Sequence, residues 1–422
     1  MRKFTYLFSL VMLIALSQTS LAQQDTIRVM HYNILQYGNT CANVNINSKN
    51  TWLSAITGYY KPDIFTVNEM AANQAYAANI QQNALTYQTM ERGDYTNQAG
   101  GNLTNMIFYN PDILGYVSNE IIGGNLRDVN AYTLFVKSTA TDAGSDTVFI
   151  TCIVAHLKAG SSSSDESQRM VAATSIMNWI STNNLENVMV MGDFNLSDDQ
   201  EDAYFEFVNN SNTTINLTDP VGLSWTGSNY AIHQTQSPRQ TTNDCGVGGG
   251  MDDRFDFILF NNDIDQGSQG VEFVADSYEA LGNDGLSYND ELACNGIAVP
   301  SIICSSLKQM SDHLPVVMEL AIPEATTSIE DLLNQIEGLK ITLLTQPFNE
   351  SLSLHLKAKD ISQPYKLSVS NLLGQTSIQE TLRLAQKNTT LSFPTAQWPK
   401  GVYILTIQSP SGEYVSQKII KQ

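Results

Sequence analysis

The chain has 422 residues, a formal net charge of −20, 42% hydrophobic residues and 15% charged residues. That length allows two domains, and the apolar content allows large cores, which excludes disorder of the chain as a whole. Lys and Arg are sparse through residues 23–324, so the surface repels polyanions at long range; this argues against a high-affinity DNA-binding protein and less against an enzyme that touches a few phosphates and releases them.

Residues 1–22 read as a signal peptide. Arg2 and Lys3 precede a mostly apolar run from Leu7 to Leu16, and Ser20-Leu21-Ala22 fits a cleavage site. The run is too short to cross ~30 Å of hydrocarbon at ~1.5 Å per residue, so export is expected rather than a membrane anchor. Alternation over residues 26–35 predicts a strand. Residues 48–60 have helical spacing, with Trp52, Leu53, Ile56 and Tyr60 on one side. Lys61-Pro62-Asp63 ends that helix. A short buried strand at 64–67 and a helix at 71–84 follow. Strands are predicted at 105–109, 132–137 and 147–155. Met170, Ala173, Ile176, Met177 and Ile180 recur at three and four, which predicts a helix over 165–180. Residues 187–191 read as a buried strand, 224–250 as a polar, Gly-rich loop, 255–260 as a strand, 271–305 as irregular and 314–322 as the last strand. Interleaved helices and strands predict an α/β sandwich over residues 23–322.

Composition changes at 323–327, and 323–340 read as a linker. Beyond it, short strands at 341–344, 352–356, 365–369, 391–393, 402–407 and 414–420 predict a small C-terminal all-β sandwich over 341–422. Five cysteines follow the signal. Outside the cytoplasm pairing of some is expected, and an odd number leaves at least one free. Cys152, in an apolar strand, reads as a buried thiol. Cys294 with Cys304 is the preferred pair. The cysteine spacings match no zinc site.

Candidate chemistry lies at the ends of the apolar strands. Asn33 follows Ile27-Arg28-Val29-Met30, Glu69 follows Ile64-Phe65-Thr66-Val67, and His156 follows Ile153-Val154-Ala155. Asp193 and Asn195 follow Val188-Met189-Val190-Met191-Gly192. Asp256 sits in Asp253-Arg254-Phe255-Asp256-Phe257, and Asp312 with His313 precede Leu314-Pro315-Val316. Each alone has a plain explanation as a turn former, a helix cap or a solvent-facing imidazole. The ordered series does not. Charged groups beside buried strands are costly unless paired or metal-bound, and distant strand ends can converge on one pocket.

These segments resemble the motif series of the endonuclease/exonuclease/phosphatase superfamily, over residues 26–320. The pair Gly192-Asp193-Phe194-Asn195 and Ser311-Asp312-His313-Leu314-Pro315-Val316 is its most specific part. Ala155-His156-Leu157 ahead of a helix resembles the deoxyribonuclease I-like half of that family. The resemblance implies a four-layer sandwich of two mainly antiparallel sheets flanked by helices. It implies hydrolysis of a phosphoric ester by metal-assisted attack of water on phosphorus. By position, Glu69 would bind Mg²⁺, with Ca²⁺ or Mn²⁺ possible and with Asn33 and Asp312 nearby. Asp193 would orient or deprotonate the water. His313, held by Asp256, would contact the phosphate. His156 would stabilise charge or protonate the leaving group, and Asn195 and Asn33 would hydrogen-bond the phosphate. Asn68 stands where the family usually has Gln, Phe257 where Tyr is frequent, and Asn110 where a basic phosphate contact is common. No acidic partner for His156 stands out, Glu91 being a weak candidate. His31 reads as structural, and Asp252 and Asp253 as solvated, with lining of the cleft as the alternative.

Residues 341–422 resemble the type A sorting domain of the type IX secretion system. The marks are Gln346-Pro347-Phe348, Val369-Ser370-Asn371-Leu372-Leu373-Gly374-Gln375, Pro399-Lys400-Gly401-Val402-Tyr403-Ile404-Leu405 and Lys418-Ile419-Ile420-Lys421. The resemblance implies a protein secreted through the periplasm by that machinery. The expected protein is a secreted monomeric nuclease acting on DNA or RNA, without stable membrane insertion. The alternative is a phospholipid (sphingomyelinase-like) or small phosphate-ester hydrolase. A membrane-acting enzyme would want exposed aromatics, for which only Trp225 and Tyr230 in residues 224–230 are candidates. A non-catalytic binding protein would need a broken site.

Overall fold

The first domain is built on strands buried on both faces, so their sequences run almost continuously apolar. A computed structural model describes residues 26–39, 45–123, 126–137, 148–222, 224–242, 245–322, 339–344, 347–358, 360–371, 374–412 and 414–422. The expected signal peptide, Cys41 and most of the expected linker lie outside the described residues.

The strands are β1 (Thr26–Tyr37), β2 (Ile64–Ala71), β3 (Glu91–Arg92), β4 (Leu103–Tyr109), β5 (Leu114–Ile122), β6 (Val129–Val136), β7 (Phe149–His156), β8 (Val188–Asp193), β9 (Leu217–Thr218), β10 (Asp256–Asn261), β11 (Glu272–Phe273), β12 (Glu279–Ala280) and β13 (Val316–Ala321). The helices are α1 (Ile46–Tyr60), α2 (Gln74–Asn83), α3 (Ser163–Asn183), α4 (Asp202–Val208), α5 (Asn262–Gln266) and α6 (Ser301–Met310). One seven-stranded sheet has the order β11-β13-β1-β2-β4-β3, with β12 also on β13; a six-stranded sheet has the order β5-β6-β7-β8-β10-β9. Among the described strands of these two sheets, only β1–β2 and β7–β8 run parallel. The other pairings are antiparallel, as expected.

Alternation sorts each strand between two cores. Ile27 and Val29 of β1, Cys152 and Val154 of β7, and Met189 and Met191 of β8 fill the layer between the sheets. Met30 and Tyr32 face outward onto a second core that includes Leu53 and Ile56 of α1 and Leu307 and Met310 of α6. Val188 and Val190 face outward onto Ala173, Ile176 and Met177 of α3. The result is helix, sheet, sheet, helix, the expected four layers. α1 starts where the Asn45 side chain accepts the Ser48 N–H at 2.9 Å and stops at Lys61, which has φ 57°. α3 starts with a capping box between Ser162 and Asp165.

The reading of 271–305 as wholly irregular is corrected by α6. Ile303, Leu307 and Met310 give it a buried stripe, and a disulfide joins Cys304 to Cys294, the preferred pair. Cys152 is a buried free thiol, and Cys245 is disulfide-bonded. Trp225 is 1% exposed, packed edge-on to Tyr204 and Phe257, so it offers no membrane-facing aromatic.

The C-terminal residues form two further sheets. One joins β14 (Lys340–Leu343), β15 (Ser351–Lys357) and β18 (Asn388–Pro394). The other has the order β17-β16-β19-β20, from β16 (Tyr365–Asn371), β17 (Thr376–Leu382), β19 (Gly401–Gln408) and β20 (Tyr414–Lys421). Leu352, Leu354 and Leu356 of one sheet and Leu367, Val369, Leu405 and Ile407 of the other share one core.

Candidate active site

Strand register brings the polar strand ends together. His156 pairs with Asp193 across the parallel β7–β8 ladder, and Asp193 pairs with Asp256 across β8–β10. Gly192 permits this closeness: a Cβ there would stand 1.8 Å from the Ala155 carbonyl oxygen. On the other sheet Asn33 of β1 pairs with Asn68 of β2, and a register shift follows. Glu69, next in line, adopts a left-handed backbone with φ 61°. Such a conformation costs roughly 1–3 kcal/mol in a non-glycine residue and persists where surroundings enforce it. The Gln36 N–H donates to Glu69 Oε2 at 3.0 Å.

Asp193 is the centre of the group. Its Oδ2 accepts from Asn33 Nδ2 at 2.9 Å. Its Oδ1 accepts the Asn195 N–H at 3.1 Å, and its own N–H donates to Asn68 Oδ1 at 2.8 Å. Asn68 Nδ2 then donates to Asn105 Oδ1 at 2.7 Å, so the short amide at position 68 ties the two sheets together. His156 Nε2 lies 3.4 Å from Asp193 Oδ2 and 3.9 Å from Glu69 Oε1. These carboxylates are the acidic neighbours that the sequence left open; Glu91 instead accepts from the Tyr109 hydroxyl. His313 donates or accepts at both nitrogens. Nδ1 is 2.7 Å from Asp256 Oδ2, and Nε2 is 2.8 Å from the Gln236 carboxamide and 3.7 Å from Asp193 Oδ2. Asp312 Oδ2 accepts the Val247 N–H at 2.7 Å, while its buried Oδ1 has no hydrogen-bond partner among the described residues. Asn195, with φ 51°, directs its amide to the Leu157 carbonyl at 3.4 Å.

Burial dominates the electrostatics. It raises Glu69, with His313 pulling the other way, and raises Asp193 to about 7. It lowers His156, with Arg127 adding to the effect. Burial would also lower His313, but Asp256 and then Asp193 outweigh it and the ring is held well above the usual imidazole range. Carboxylates pushed upward beside one another are a site short of positive charge.

Ligand atoms of Glu69, His156 and Asp193 lie within 4.8 Å of one another. With the orphaned Asp312 Oδ1 nearby in sequence to His313, this oxygen-rich set fits a hard divalent cation. An imidazole is a poorer ligand for such an ion and is better suited to face the substrate.

Several contributors lay outside the sequence reading. Arg127, from the loop before β6, donates to the His156 carbonyl at 3.4 Å and lines a small pocket with His156, Leu157, Lys158 and Gln168. Gln236 faces His313. Arg239 is 9% exposed, and its guanidinium nitrogens have no hydrogen-bond partner among the described residues. Asn110 donates to Asp63 at 2.8 Å, beside the Ile64–Tyr109 pairing that closes the opposite end of the sheet. It stands away from the site. His31 is fully buried, with Nδ1 2.9 Å from Thr66 Oγ1, a structural role as expected. Phe257 stacks on Phe194 at 5.2 Å and lies under the Arg254 guanidinium at 4.2 Å. Arg254 in turn forms a bidentate pair with Asp219 at 2.8 and 2.9 Å.

Comparison with known proteins decides the C-terminal part. Residues 346–422 match the family model described as the secretion system C-terminal sorting domain. The chain carries an export tail. That tail assigns the protein to the cell surface or the extracellular space by way of the type IX machinery, and no helix among the described residues is long and apolar enough to cross a membrane. No curated protein matches the chain. Among solved structures, similarity is found to an endonuclease/exonuclease/phosphatase from Bacteroides vulgatus, at 17% identity and TM-score 0.45, covering 71% of this chain and 100% of that one. D. rerio TDP2 complexed with single strand DNA product gives 15% identity and TM-score 0.44, covering 70% and 98%. The human Nocturnin catalytic domain with bound sulfate anion gives 16% and 0.43, covering 71% and 97%. The fold assignment ahead of the export tail rests on the sheet order and register described above.

Proposed function

We propose that residues 23–322 form a divalent-metal-dependent phosphodiesterase that hydrolyses DNA or RNA outside the cell. The observation that carries the reading is the convergence of Glu69, His156 and Asp193 from three strands, and of His313 from the connection before β13, within hydrogen-bonding or ion-pair reach. Glu69, with Asn33 and Asp312, would hold Mg²⁺, and Asp193 stands close enough to share it. The bound cation supplies Lewis-acid polarisation of a phosphoryl oxygen and charge for the leaving oxygen. The protein's own groups do the rest. Asp193 takes or orients a proton of the attacking water, its carboxylate fixed by Asn33 and by the Asn195 N–H. His313, backed by Asp256, meets the phosphoryl group as a charged donor. His156 stabilises developing charge from the other side, beside Arg127. Asn195 offers its amide to the phosphate.

The test uses the full chain with plasmid DNA, RNA, sphingomyelin and bis-4-nitrophenyl phosphate, in Mg²⁺, Mn²⁺, Ca²⁺ or EDTA. Cleavage of nucleic acid with metal and none in EDTA is expected. Asp193→Ala and His313→Ala should each lose at least ~10²-fold in turnover. Near-normal rates in both variants would remove these roles. The strongly acidic composition favours one second reading, a small phosphate ester as substrate, and cleavage of the nitrophenyl ester without cleavage of nucleic acid would select it.

A further inference from the structure

Gln236 occupies the one nitrogen of His313 that Asp256 leaves over. Its amide end lies 2.8 Å from Nε2, where a charged ring, having no acceptor, requires the amide to present its oxygen, and Asp256 holds Nδ1 at 2.7 Å. The backbone beneath that side chain is clamped. The Gln236 N–H donates to the Asp253 carbonyl at 3.0 Å, and the Asp253 N–H returns to Gln236 O at 3.1 Å. The Leu314 N–H donates to Thr235 O at 2.7 Å, and Thr235 Oγ1 accepts from Phe255 and Asp256 at 3.1 and 3.2 Å. The segment is therefore anchored at once to the stretch leading into β10 and to the residue after His313. A polar group held this firmly against a catalytic imidazole is placed rather than accidental.

His313 needs no second partner for its own orientation, because Asp256 and burial already fix the ring. A phosphoryl oxygen arriving at Nε2 would come to the place the carboxamide now fills. Displaced by a torsion, the same carboxamide keeps its two N–H donors within reach of the arriving group. It is a neutral donor in acidic surroundings. Asp193 lies 3.7 Å from Nε2, and Asp253, which pairs with Gln236 just ahead of β10, interacts electrostatically with His313. A terminal phosphomonoester carries close to two negative charges at neutral pH, and a diester carries one. A neutral donor flanked by carboxylates penalises the second charge.

Building on the hydrolase reading, we propose that Gln236 contacts the scissile phosphoryl group and, with Asp253 behind it, selects a monoanionic phosphodiester over a dianionic monoester. No bond is made or broken by Gln236. It donates hydrogen bonds to a non-bridging oxygen.

The experiment compares full-length wild type, Gln236→Ala, Gln236→Glu and Gln236→Arg on bis-4-nitrophenyl phosphate and 4-nitrophenyl phosphate. Gln236→Ala should lose about tenfold in kcat/KM on the diester, as expected for one hydrogen bond to a charged group. The near-isosteric Gln236→Glu should lose more. Gln236→Arg should shift the monoester-to-diester ratio at least tenfold towards the monoester. Binding is read independently of turnover, by following the imidazole NMR signals during titration with dimethyl phosphate and with inorganic phosphate. Wild type should prefer the diester and Gln236→Arg the inorganic ion. An active wild type whose variants keep both its ratio and its binding preference overturns the role of Gln236 and leaves the hydrolase reading standing. A wild type that cleaves neither ester removes the hydrolase reading, and the titration still decides whether Gln236 discriminates between the two anions.

Discussion

A buried ammonium joins the two segments that bring Asn33 and Asp312 to the site. Lys49 is 4% exposed and donates to the carbonyls of Ile34, Leu35 and Met310. Lys49→Met would leave those carbonyls buried and unpaired, at roughly 1–3 kcal/mol for each that finds no water. We expect a net loss of about 2–4 kcal/mol in urea unfolding, and an unchanged midpoint would contradict this account. A second residue-scale effect concerns Asp253. Burial, with Asp252 adding repulsion and His313 opposing it, raises its carboxyl to about 6. The folded chain therefore keeps this proton at pH values where the unfolded chain has lost it. Between the ordinary carboxyl range near 4 and pH 6, stability from this group falls as pH rises. Asp253→Asn should raise the melting temperature at pH 7–8 and leave it nearly unchanged at pH 4. The opposite pattern would show that the carboxylate is stabilised by folding.

Between elements, the decisive contact is the approach of β7 to β8. With the Gly192 Cα so near the Ala155 carbonyl, Gly192→Ala must push the strands apart and spoil the His156–Asp193 register. We expect loss of catalysis together with at least ~3 kcal/mol of stability, because the overlap is with backbone rather than a movable side chain. This close approach could be suspected from Gly192-Asp193-Phe194-Asn195 alone, because a glycine inside an apolar strand marks crowding. The catalytic candidates were legible for a related reason: each polar residue borders a run of apolar residues that feeds a buried strand, so the break in hydrophobicity is visible in one dimension. Arg127 and Gln236 leave no such trace. They lie in irregular segments, and their roles come from folding those segments back over β7 and His313. Edge strands were missed as well. β5 and β17 bury few of their side chains, so their sequences lack the alternation that marks a half-buried strand. The helix α6 has a stripe at positions 303, 307 and 310, but the Gly- and Asn-containing stretch before it hid its start.

At the scale of the molecule, the cores are separate. Among the described residues the buried clusters of residues 27–320 include nothing from the cluster of 339–419. Two folding units should therefore melt independently. Deleting residues 346–422 is expected to remove one calorimetric transition, keep ester hydrolysis, and trap the protein inside the cell envelope. Hydrolysis lost along with secretion would mean the sorting domain supports the site directly.

The free thiol sealed between the two sheets of the first domain has a practical consequence. Burial pushes Cys152 up to about 12, and thiols react through the thiolate. A maleimide should pass over the native chain at this position and mark it only once the layers part. Cys152 is thus a built-in stopwatch for opening, and its labelling half-life in rising urea would time how long an exported molecule stays closed.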